Sequence, residues 1–357
     1  MWIVTNKNGV NFLVRAAAIL FVAVALSACQ IVIVGPAPVT TTTSPVPTRV
    51  ITIPDIADPF NPGPLAVAIT PDGAKAYVIT RNANPISIIN TGTNTVSATI
   101  PVAPSTPNSA GLGDIAITSD GAKAYVITTD DSVLVINTAT NTVSATIPVG
   151  RTPTSVAITP NGGAAYVTNA NDDTVSVINT GTNTVSATIH VADASPPNDL
   201  PYDVAITPDG TRAYVTNWIG TVLVINTATN IVSATIPVGG GPAKIAITPD
   251  GTKAYLTRSL GIVNVINTAT NTVSATIPVA GLAGAGSVAV SPDGTRVYVA
   301  VSPGTGCCGW IAVIDTATNT VRGQVGVGIE PTDIAFTPDG TRAYVTNWRG
   351  TVSVIYI

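Results

Sequence analysis

Two residue types that carry much of enzyme chemistry are nearly missing from this 357-residue chain, which has one histidine, His190, and one glutamate, Glu330. Zinc and copper sites built from several imidazoles are therefore excluded. The three cysteines form no Cys-x-x-Cys-His motif, so covalent haem attachment is excluded as well.

Charge is scarce too, since charged residues make up 10% of the chain and the formal net charge is −4. A nucleic-acid surface needs concentrated basic charge to displace counterions from phosphates. We therefore expect no nucleic-acid partner. Valine and isoleucine are abundant throughout the chain, which argues against disorder.

An export signal is predicted at the N-terminus. Lys7 and Arg15 precede an apolar run over residues 16–25, and small residues lead up to Cys29, which is typical of a secretory signal. The ending Leu-Ser-Ala-Cys resembles a bacterial lipobox, which implies that residues 1–28 are a signal peptide and that Cys29 carries a lipid. The alternative is an uncleaved anchor, because residues 16–35 are about long enough to cross a bilayer. Both interpretations place the rest of the chain outside the cytoplasm, anchored at the cell membrane or envelope.

Residues 29–48 are rich in proline and threonine, including four consecutive threonines from Thr40 to Thr43. Such a segment has little apolar surface to bury and favours extended conformations. We interpret it as a tether in front of a folded domain over residues 49–357.

The folded domain contains seven copies of one unit. A turn that resembles Pro-Asp-Gly recurs every 41 to 48 residues, with its central residue at Asp72, Asp120, Asn161, Asp209, Asp250, Asp293 and Asp339. This spacing is typical of β-propeller blades. Between the turns, short runs rich in Val, Ile, Tyr and Thr alternate apolar and polar positions, which predicts strands. We expect four strands per copy, named a to d in chain order.

The two ends of the array predict how it closes. The last copy stops after strand c, and residues 49–54 have the pattern of a strand d with no blade before them. We predict that this segment pairs with the last copy, because closure removes the exposed edges of an open array. The predicted fold class is all-β: a seven-bladed β-propeller of four-stranded antiparallel blades.

Three copies carry the tetrapeptides Tyr166-Val-Thr-Asn169, Tyr214-Val-Thr-Asn217 and Tyr344-Val-Thr-Asn347. These resemble the YVTN family of β-propeller repeat proteins, and the resemblance covers nearly everything after residue 48. Members of that family are often extracellular or surface-layer proteins, while related propellers include lactonases and cofactor-bearing dehydrogenases. The resemblance implies the fold, and the fold alone does not select a function.

The antiparallel order gives the propeller two unlike sides. The a–b and c–d turns share one side, here called the turn face, and their sequences are nearly the same in every copy. The b–c and d–a loops share the other side, here called the loop face, and they vary in length and composition. Variable loops on a rigid scaffold usually carry recognition, so we expect any ligand site on the loop face. In six of the seven copies a basic residue lies three positions after the turn centre, as in Lys75 or Arg212, and it is expected to form an exposed local pair.

Every tryptophan of the repeat domain, namely Trp218, Trp310 and Trp348, lies in or beside a b–c loop. Exposed aromatic side chains there suit a sugar ring or a protein partner. The alternative is that they cap the ends of strand b, as the repeated Thr-Asn-Trp sequence indicates.

The residue that opens strand a is expected near the mouth of the central channel on the loop face. Round the ring these residues are Ala66, Asp114, Ser155, Asp203, Lys244, Ser287 and Asp333. The three carboxylates suggest a polar ligand or a cation such as Ca²⁺, because hard cations favour several oxygen ligands. The favoured alternative is that these residues are solvated strand ends that bond to the neighbouring blade. No other cofactor is expected.

Cys307 and Cys308 lie in the longest b–c loop, residues 302–309. Paired cysteines outside the cell usually oxidise, which favours a vicinal disulfide. Free thiols and intermolecular pairing are the alternatives.

No catalytic constellation is evident in the sequence. The predicted function is therefore a tethered binding or scaffold protein, not an enzyme, that presents its loop face to an envelope protein, a glycan or a small ligand. The alternative is a propeller enzyme or cofactor-bearing protein, lactonase-like or dehydrogenase-like, with an aspartate-bound cation.

Overall fold

The structure is a computed structural model that describes residues 2–5, 11–14, 48–53, 63–80, 85–102, 111–191, 200–259, 261–281, 286–304 and 308–357. The chain divides into two compact units, Met1–Thr42 and Thr43–Ile357. In the first unit, β1 (Trp2–Thr5) pairs antiparallel with β2 (Asn11–Val14). The apolar run of the predicted signal and Cys29 lie outside the described residues. Within the described ranges, no helix has the length and hydropathy that a membrane span requires.

The second unit holds seven four-stranded antiparallel sheets. It begins with β3 (Thr48–Thr52). Blades one to three contain β4 (Pro64–Ile69), β5 (Lys75–Thr80), β6 (Ile86–Asn90), β7 (Thr95–Ile100), β8 (Leu112–Ile117), β9 (Lys123–Thr128), β10 (Ser132–Asn137), β11 (Thr142–Pro148), β12 (Pro153–Ile158), β13 (Ala164–Asn169), β14 (Thr174–Asn179) and β15 (Thr184–His190). One turn of 3₁₀ helix, Ala170–Asp172, lies in the b–c loop of blade three.

The remaining four blades follow the same order of strands a to d. They contain β16 (Pro201–Ile206), β17 (Arg212–Asn217), β18 (Thr221–Asn226), β19 (Ile231–Pro237), β20 (Pro242–Ile247), β21 (Lys253–Arg258), β22 (Ile262–Asn267), β23 (Thr272–Pro278), β24 (Val288–Val290), β25 (Arg296–Val301), β26 (Cys308–Asp315), β27 (Thr320–Ile329), β28 (Pro331–Phe336), β29 (Arg342–Asn347) and β30 (Thr351–Tyr356).

The seventh blade closes the ring as predicted. Strand β3 is its strand d and pairs antiparallel with β30, in a register that sets Ile51 opposite Val352. The Ile53 N–H continues the ladder to the Gly350 carbonyl at 3.0 Å. The predicted all-β, seven-bladed propeller is confirmed.

The core lies between blades rather than inside them. Strand b is the most buried strand, because its side chains on both faces pack against a neighbouring blade, as in Tyr166 and Val167 of blade three. Buried apolar side chains of the described residues form seven clusters, and each cluster joins two consecutive blades. In one of them, Tyr166 and Val177 of blade three pack with Val204 and Val215 of blade four. Removing one blade would therefore expose two interfaces.

A hydrogen bond between blades recurs near the turn face. The hydroxyl of Tyr214 in strand b of blade four donates to Asn271 Oδ1 in the c–d turn of blade five, at 2.8 Å. Asn271 has a φ of +53°, which asparagine tolerates better than most residues. The same bond forms from Tyr77, Tyr125, Tyr166, Tyr255 and Tyr344.

Blade six is the exception to this bond. Its Tyr298 faces blade seven, whose strand d is β3 and which therefore has no c–d turn to supply an asparagine. The Tyr298 ring instead meets Phe336 edge to face, with centroids 4.9 Å apart. An aromatic contact thus stands where the other blades have a polar one.

The basic residues after the turns behave differently from the expectation. Lys123 Nζ donates to the Thr180 carbonyl at 2.6 Å, and Arg212 donates to the Thr268 carbonyl at the same distance. Lys253 makes the equivalent bond to Thr316. The prediction of exposed local pairs is wrong for these residues, because their side chains reach the c–d turn of the next blade.

Candidate functional site

The innermost strand of each blade is strand a, and the a strands of neighbouring blades contact one another around the central channel. Strand a is also an edge strand, since its blade supplies a partner on one side only. Some of its N–H groups therefore need an acceptor from outside the blade. The residues predicted to ring the channel mouth supply such acceptors.

Three aspartates of this ring bond across to a neighbouring strand a. Asp203 Oδ2 accepts the Ile245 N–H at 2.7 Å. Asp333 Oδ2 accepts the Val67 N–H at 3.0 Å, and Asp114 Oδ2 accepts the Val156 N–H at 3.2 Å. Each carboxylate therefore satisfies a backbone donor of the next blade around the ring.

Two of these carboxylates also accept hydrogen bonds from serine hydroxyls. Ser155 donates to Asp114 Oδ2 at 2.8 Å, and Ser287 donates to Asp333 Oδ1 at 2.7 Å. Asp203 is buried, whereas Asp114 and Asp333 are half-buried. The expected contact with the neighbouring blade is thus present, but the aspartates are more enclosed than solvated strand ends.

Lys244 provides the positive charge of the cluster. Its Nζ lies 3.1 Å from Asp203 Oδ1, and its side chain is 26% exposed. Burial alone would lower the pKa of Lys244, but the carboxylates of Asp203, Asp114 and Asp333 outweigh it and hold the pKa above its ordinary value. Lys244 therefore stays a protonated ammonium, which stabilises negative charge and does not act as an amine nucleophile.

Two of the carboxyl groups, those of Asp333 and Asp114, have raised pKa values, which favours the neutral acid. Burial raises the pKa of Asp333 to about 6, and the Lys244 ammonium and the hydrogen bonds from Val67 and Ser287 offset only part of that effect. Burial also raises the pKa of Asp114. A carboxyl group with a pKa near 6 can accept and release a proton close to neutral pH.

A cavity of about 470 Å³ opens at this end of the channel. Lys244 and Asp333 both line it, together with Tyr202 and Ser287. Thr129, Thr152, Thr154, Ser302 and Thr332 also line the cavity, together with apolar residues such as Leu65, Leu112 and Pro331. The volume suits a small molecule of a few rings at most.

Tyr202 connects the cavity to the exposed rim, and the sequence reasoning missed it. Its ring lies 6.0 Å from the Trp218 ring, and Lys244 Nζ lies 5.9 Å from its centroid. Tyr202 is 37% exposed and Trp218 is 45% exposed. A signal was present, because Tyr202 directly precedes a ring residue at a position where the other copies carry Thr, Ala, Gly or Leu.

The other two tryptophans are more enclosed than Trp218. Trp310 packs against the buried cluster between blades five and six, and a side chain at Gly281 would collide with its ring. Trp348 is half-buried, and its carbonyl accepts the Gly63 N–H at 2.9 Å. The structure therefore brings Trp218 close to the cavity through Tyr202, and it does not place Trp310 or Trp348 among the cavity-lining residues.

Two further sequence predictions stay open, namely the vicinal disulfide and a cation bound by the ring carboxylates. Cys308 is disulfide-bonded, but Cys307 and Cys29 lie outside the described residues, so a vicinal bridge stays a prediction. In the described part of the chain, no three His, Cys, Asp or Glu side chains are grouped to hold a metal ion. The cation that the ring carboxylates face is the ammonium of Lys244.

The sequence is similar to one protein family over part of its length. Residues 52–204 match the family described as "Lactonase, 7-bladed beta-propeller", which is less than half of the chain. The matched range includes Asp114 and Asp203. Curated proteins give no match to the chain.

The solved structure of "Kuenenia stuttgartiensis Hydrazine Synthase" shares the fold, with a TM-score of 0.71 and 22% sequence identity. The similarity covers 84% of this chain and 96% of that chain. At this identity the likeness concerns the propeller architecture alone.

The family match corrects one prediction. We expected a protein that is not an enzyme, and that prediction is wrong in the light of a match to a family named for an enzymatic activity. The sequence reasoning looked for histidine and glutamate and found one of each. It did not anticipate that Asp333 and Lys244 would both line one cavity with raised pKa values.

Proposed function

We propose that this propeller is a lactonase-like hydrolase that opens a small cyclic ester at the mouth of its channel. The observation that carries the proposal is that Lys244 and Asp333, a permanent ammonium and a carboxyl with a pKa of about 6, line one cavity. The partial match to the lactonase family supports the same reaction class.

The two residues have complementary roles in the proposed reaction. Asp333 accepts a proton from a water molecule as the water oxygen bonds to the lactone carbonyl carbon. The Lys244 ammonium stabilises the negative charge that develops on the carbonyl oxygen. The ring C–O bond then breaks, and the leaving alkoxide takes the proton back from Asp333, which yields a hydroxycarboxylic acid.

The test is a hydrolysis assay on a panel of γ- and δ-lactones with the wild type and three variants. Removing the general base in Asp333→Asn is expected to lower kcat/KM by about 100-fold or more. Lys244→Met is expected to lower it by about 100- to 1,000-fold, the usual effect of losing an oxyanion donor. Asp315→Asn is the matched control, because it removes a carboxylate on the turn face and installs the asparagine that other copies carry.

Turnover in the wild type and in Asp315→Asn, with loss in both channel variants, supports the proposal. No turnover on any lactone, or full turnover in Asp333→Asn, contradicts it.

A second candidate function of the same face is the binding of an envelope protein or a glycan. It is favoured by the exposed Tyr202–Trp218 pair, because an aromatic platform beside polar groups suits a sugar ring or a partner side chain. Binding to a glycan array that is lost in Trp218→Ala and kept in Trp348→Ala would support this role.

We further propose that the chain is exported and anchored through a lipid on Cys29, as the Leu-Ser-Ala-Cys sequence indicates. Cys29→Ser is expected to move the protein from the membrane fraction to the soluble fraction. Equal membrane association of the variant and the wild type would contradict the lipid anchor.

A further inference from the structure

Four buried side-chain atoms in the described residues have no hydrogen-bond partner, and all four occur at one repeat position. They are Asn169 Oδ1, Asn217 Oδ1, Arg258 Nε and Asn347 Oδ1. Each belongs to the last residue of strand b, at the loop face. Orphaned polar atoms that recur at one position indicate a built-in place for water or a ligand.

In three blades, a glycine at the end of the preceding strand d or in the d–a loop covers this position. A Cβ added at Gly150 would lie 2.7 Å from Asn169 Cγ, and one added at Gly328 would lie 2.6 Å from Asn347 Cγ. In blade five, a Cβ added at Gly239 would lie 2.9 Å from Arg258 Cζ. The loop backbone therefore rests directly on the strand-end side chain, and only glycine fits there.

The unpaired atom of blade five is a hydrogen-bond donor, whereas those of blades three, four and seven are acceptors. The asparagine oxygens are neutral acceptors, which a water molecule satisfies. The Arg258 Nε–H is a donor on a permanently charged group, which needs an acceptor and is best matched by an anion.

The described residues offer the Arg258 guanidinium few hydrogen-bond acceptors. Its Nη2 lies 3.5 Å from the Gly240 carbonyl, at the limit of a hydrogen bond. The three salt bridges found between described residues involve other cations, namely Arg151, Lys244 and Arg322. The charge of Lys244 is balanced by Asp203, Asp114 and Asp333. Among the described residues, no carboxylate lies within ion-pair distance of Arg258.

The loop above Arg258 has open space at Gly240. Gly239 and Gly241 have φ values of +84° and +68°, and a Cβ at Gly240 would meet no atom within 4 Å. The Gly241 N–H donates to the Trp218 carbonyl at 3.1 Å, so the loop adjoins the exposed Trp218. Next to Trp218, Ile219 is 54% exposed.

We propose that Arg258 and the Gly239–Gly241 loop form an oxyanion-binding site for a small molecule that bears a carboxylate or a phosphate. The planar guanidinium suits the paired oxygens of either group. The site adjoins the channel mouth, because Arg258 pairs with Pro242, which lies two residues, or about 7 Å, before Lys244 on strand a. The proposal is independent of lactone hydrolysis, since it uses neither Lys244 nor Asp333.

The test compares anion binding by the full chain and by two variants at low ionic strength. Arg258→Asn gives blade five the residue that blades three, four and seven carry at this position, so the fold has a ready precedent for it. Arg322→Gln is the matched control, because it removes one cation from the turn face. Inorganic phosphate and citrate are titrated separately, by calorimetry and by thermal unfolding.

We expect the wild type and Arg322→Gln to bind phosphate, citrate or both, with a higher Tm in the presence of the anion. Arg258→Asn should bind at least about tenfold more weakly, the usual effect of losing a charge-assisted hydrogen bond. The anion that binds more tightly identifies phosphate or carboxylate as the preferred group. Equal responses of the wild type and Arg258→Asn, or no response of the wild type to either anion, would overturn the proposal.

Discussion

The turn face and the loop face both present a ring of aspartates, and they hold them in different ways. On the turn face, Asp209 is exposed and accepts hydrogen bonds from Thr207 and Thr211 of its own turn. On the loop face, Asp203 of the same blade is buried and bonds to Ile245 and Lys244 of the next blade. One aspartate stabilises a local turn, and the other connects two blades.

The turn aspartates also differ in pKa from Asp333 and Asp114 of the loop face. The Thr207 hydroxyl and the Thr211 N–H hold the pKa of Asp209 below its usual value, and the other turn aspartates behave alike. Burial raises the pKa of Asp333 and Asp114 at the channel mouth. The same residue type thus serves structure on one face and is available for proton transfer on the other.

The largest expected effect comes from removing a blade-connecting carboxylate. Asp203→Ala leaves the Lys244 ammonium without its closest partner, which is expected to lower the free energy of unfolding by about 3–5 kcal/mol. Asp209→Ala on the turn face of the same blade removes local hydrogen bonds and is expected to cost about 1 kcal/mol. Urea denaturation of both variants measures the contrast.

The double variant Asp203→Ala/Lys244→Met is the control for this contrast. It removes the uncompensated charge together with the carboxylate, so it should recover part of the lost stability. Equal losses in Asp203→Ala and Asp209→Ala would mean that the two faces hold their aspartates alike.

The second prediction concerns pH. The pKa of Asp333 is higher in the folded state than the value of about 4 for an unfolded aspartate, so between pH 4 and 6 the folded protein keeps a proton that the unfolded chain loses. Protonation of Asp333 therefore stabilises the folded protein most below about pH 4. As the pH rises through 6, the free energy of unfolding falls by about 2 kcal/mol, after allowance for water in the cavity.

Asp333→Asn should flatten this part of the stability profile, as measured by urea denaturation at several pH values. The turn aspartates have the opposite sign, because a lowered pKa gives stability above pH 4 that is lost on further acidification. A wild type whose profile matches that of Asp333→Asn between pH 4 and 7 would refute the assignment.

A smaller effect is expected from the tyrosine bonds between blades. Tyr214→Phe removes a hydrogen bond to Asn271 and should cost about 1 kcal/mol. Tyr298→Phe should cost less, because in the described residues Tyr298 has an aromatic contact to Phe336 and no hydrogen-bond partner. Thermal unfolding of the two variants provides the comparison, and a larger loss in Tyr298→Phe would contradict it.

The smallest effect is expected for the turn-face pair Arg322–Asp315. The two groups lie 2.8 Å apart, but the arginine side chain is 62% exposed. Arg322→Gln and Asp315→Asn should therefore leave the urea midpoint unchanged within error. A clear loss in either variant would show that the turn face depends on ion pairs more than its exposure indicates.

Much of the fold follows from local signals in the sequence. The recurring Pro-Asp-Gly turn sets the number of blades, since proline and glycine meet the dihedral angles of that turn. The unpaired strand at residues 49–54 predicts the closure, because strand β30 would otherwise keep an open edge. The ring position of Asp114, Asp203, Lys244 and Asp333 follows from the strand pattern alone.

The chemical state of those residues could not be predicted in the same way. Whether Asp333 is solvated or enclosed depends on how strand a of one blade meets the next, and no local pattern encodes that distance. Lys123 and Arg212 were misjudged for the same reason, since their acceptors lie in the next blade. Arg258 stands in the sequence as one departure from Tyr-Val-Thr-Asn, and the unpaired Nε atom is visible only once the loop above it is placed.

The proposed chemistry depends on Asp333 acting as a base at the channel mouth. The most direct test is the pH dependence of kcat/KM for the best lactone substrate, measured from pH 4.5 to 8. We predict a rise with increasing pH that levels off above an apparent pKa of about 6, and loss of that rise in Asp333→Asn. A rate that is independent of pH over this range, or the same profile in the variant, would contradict the account.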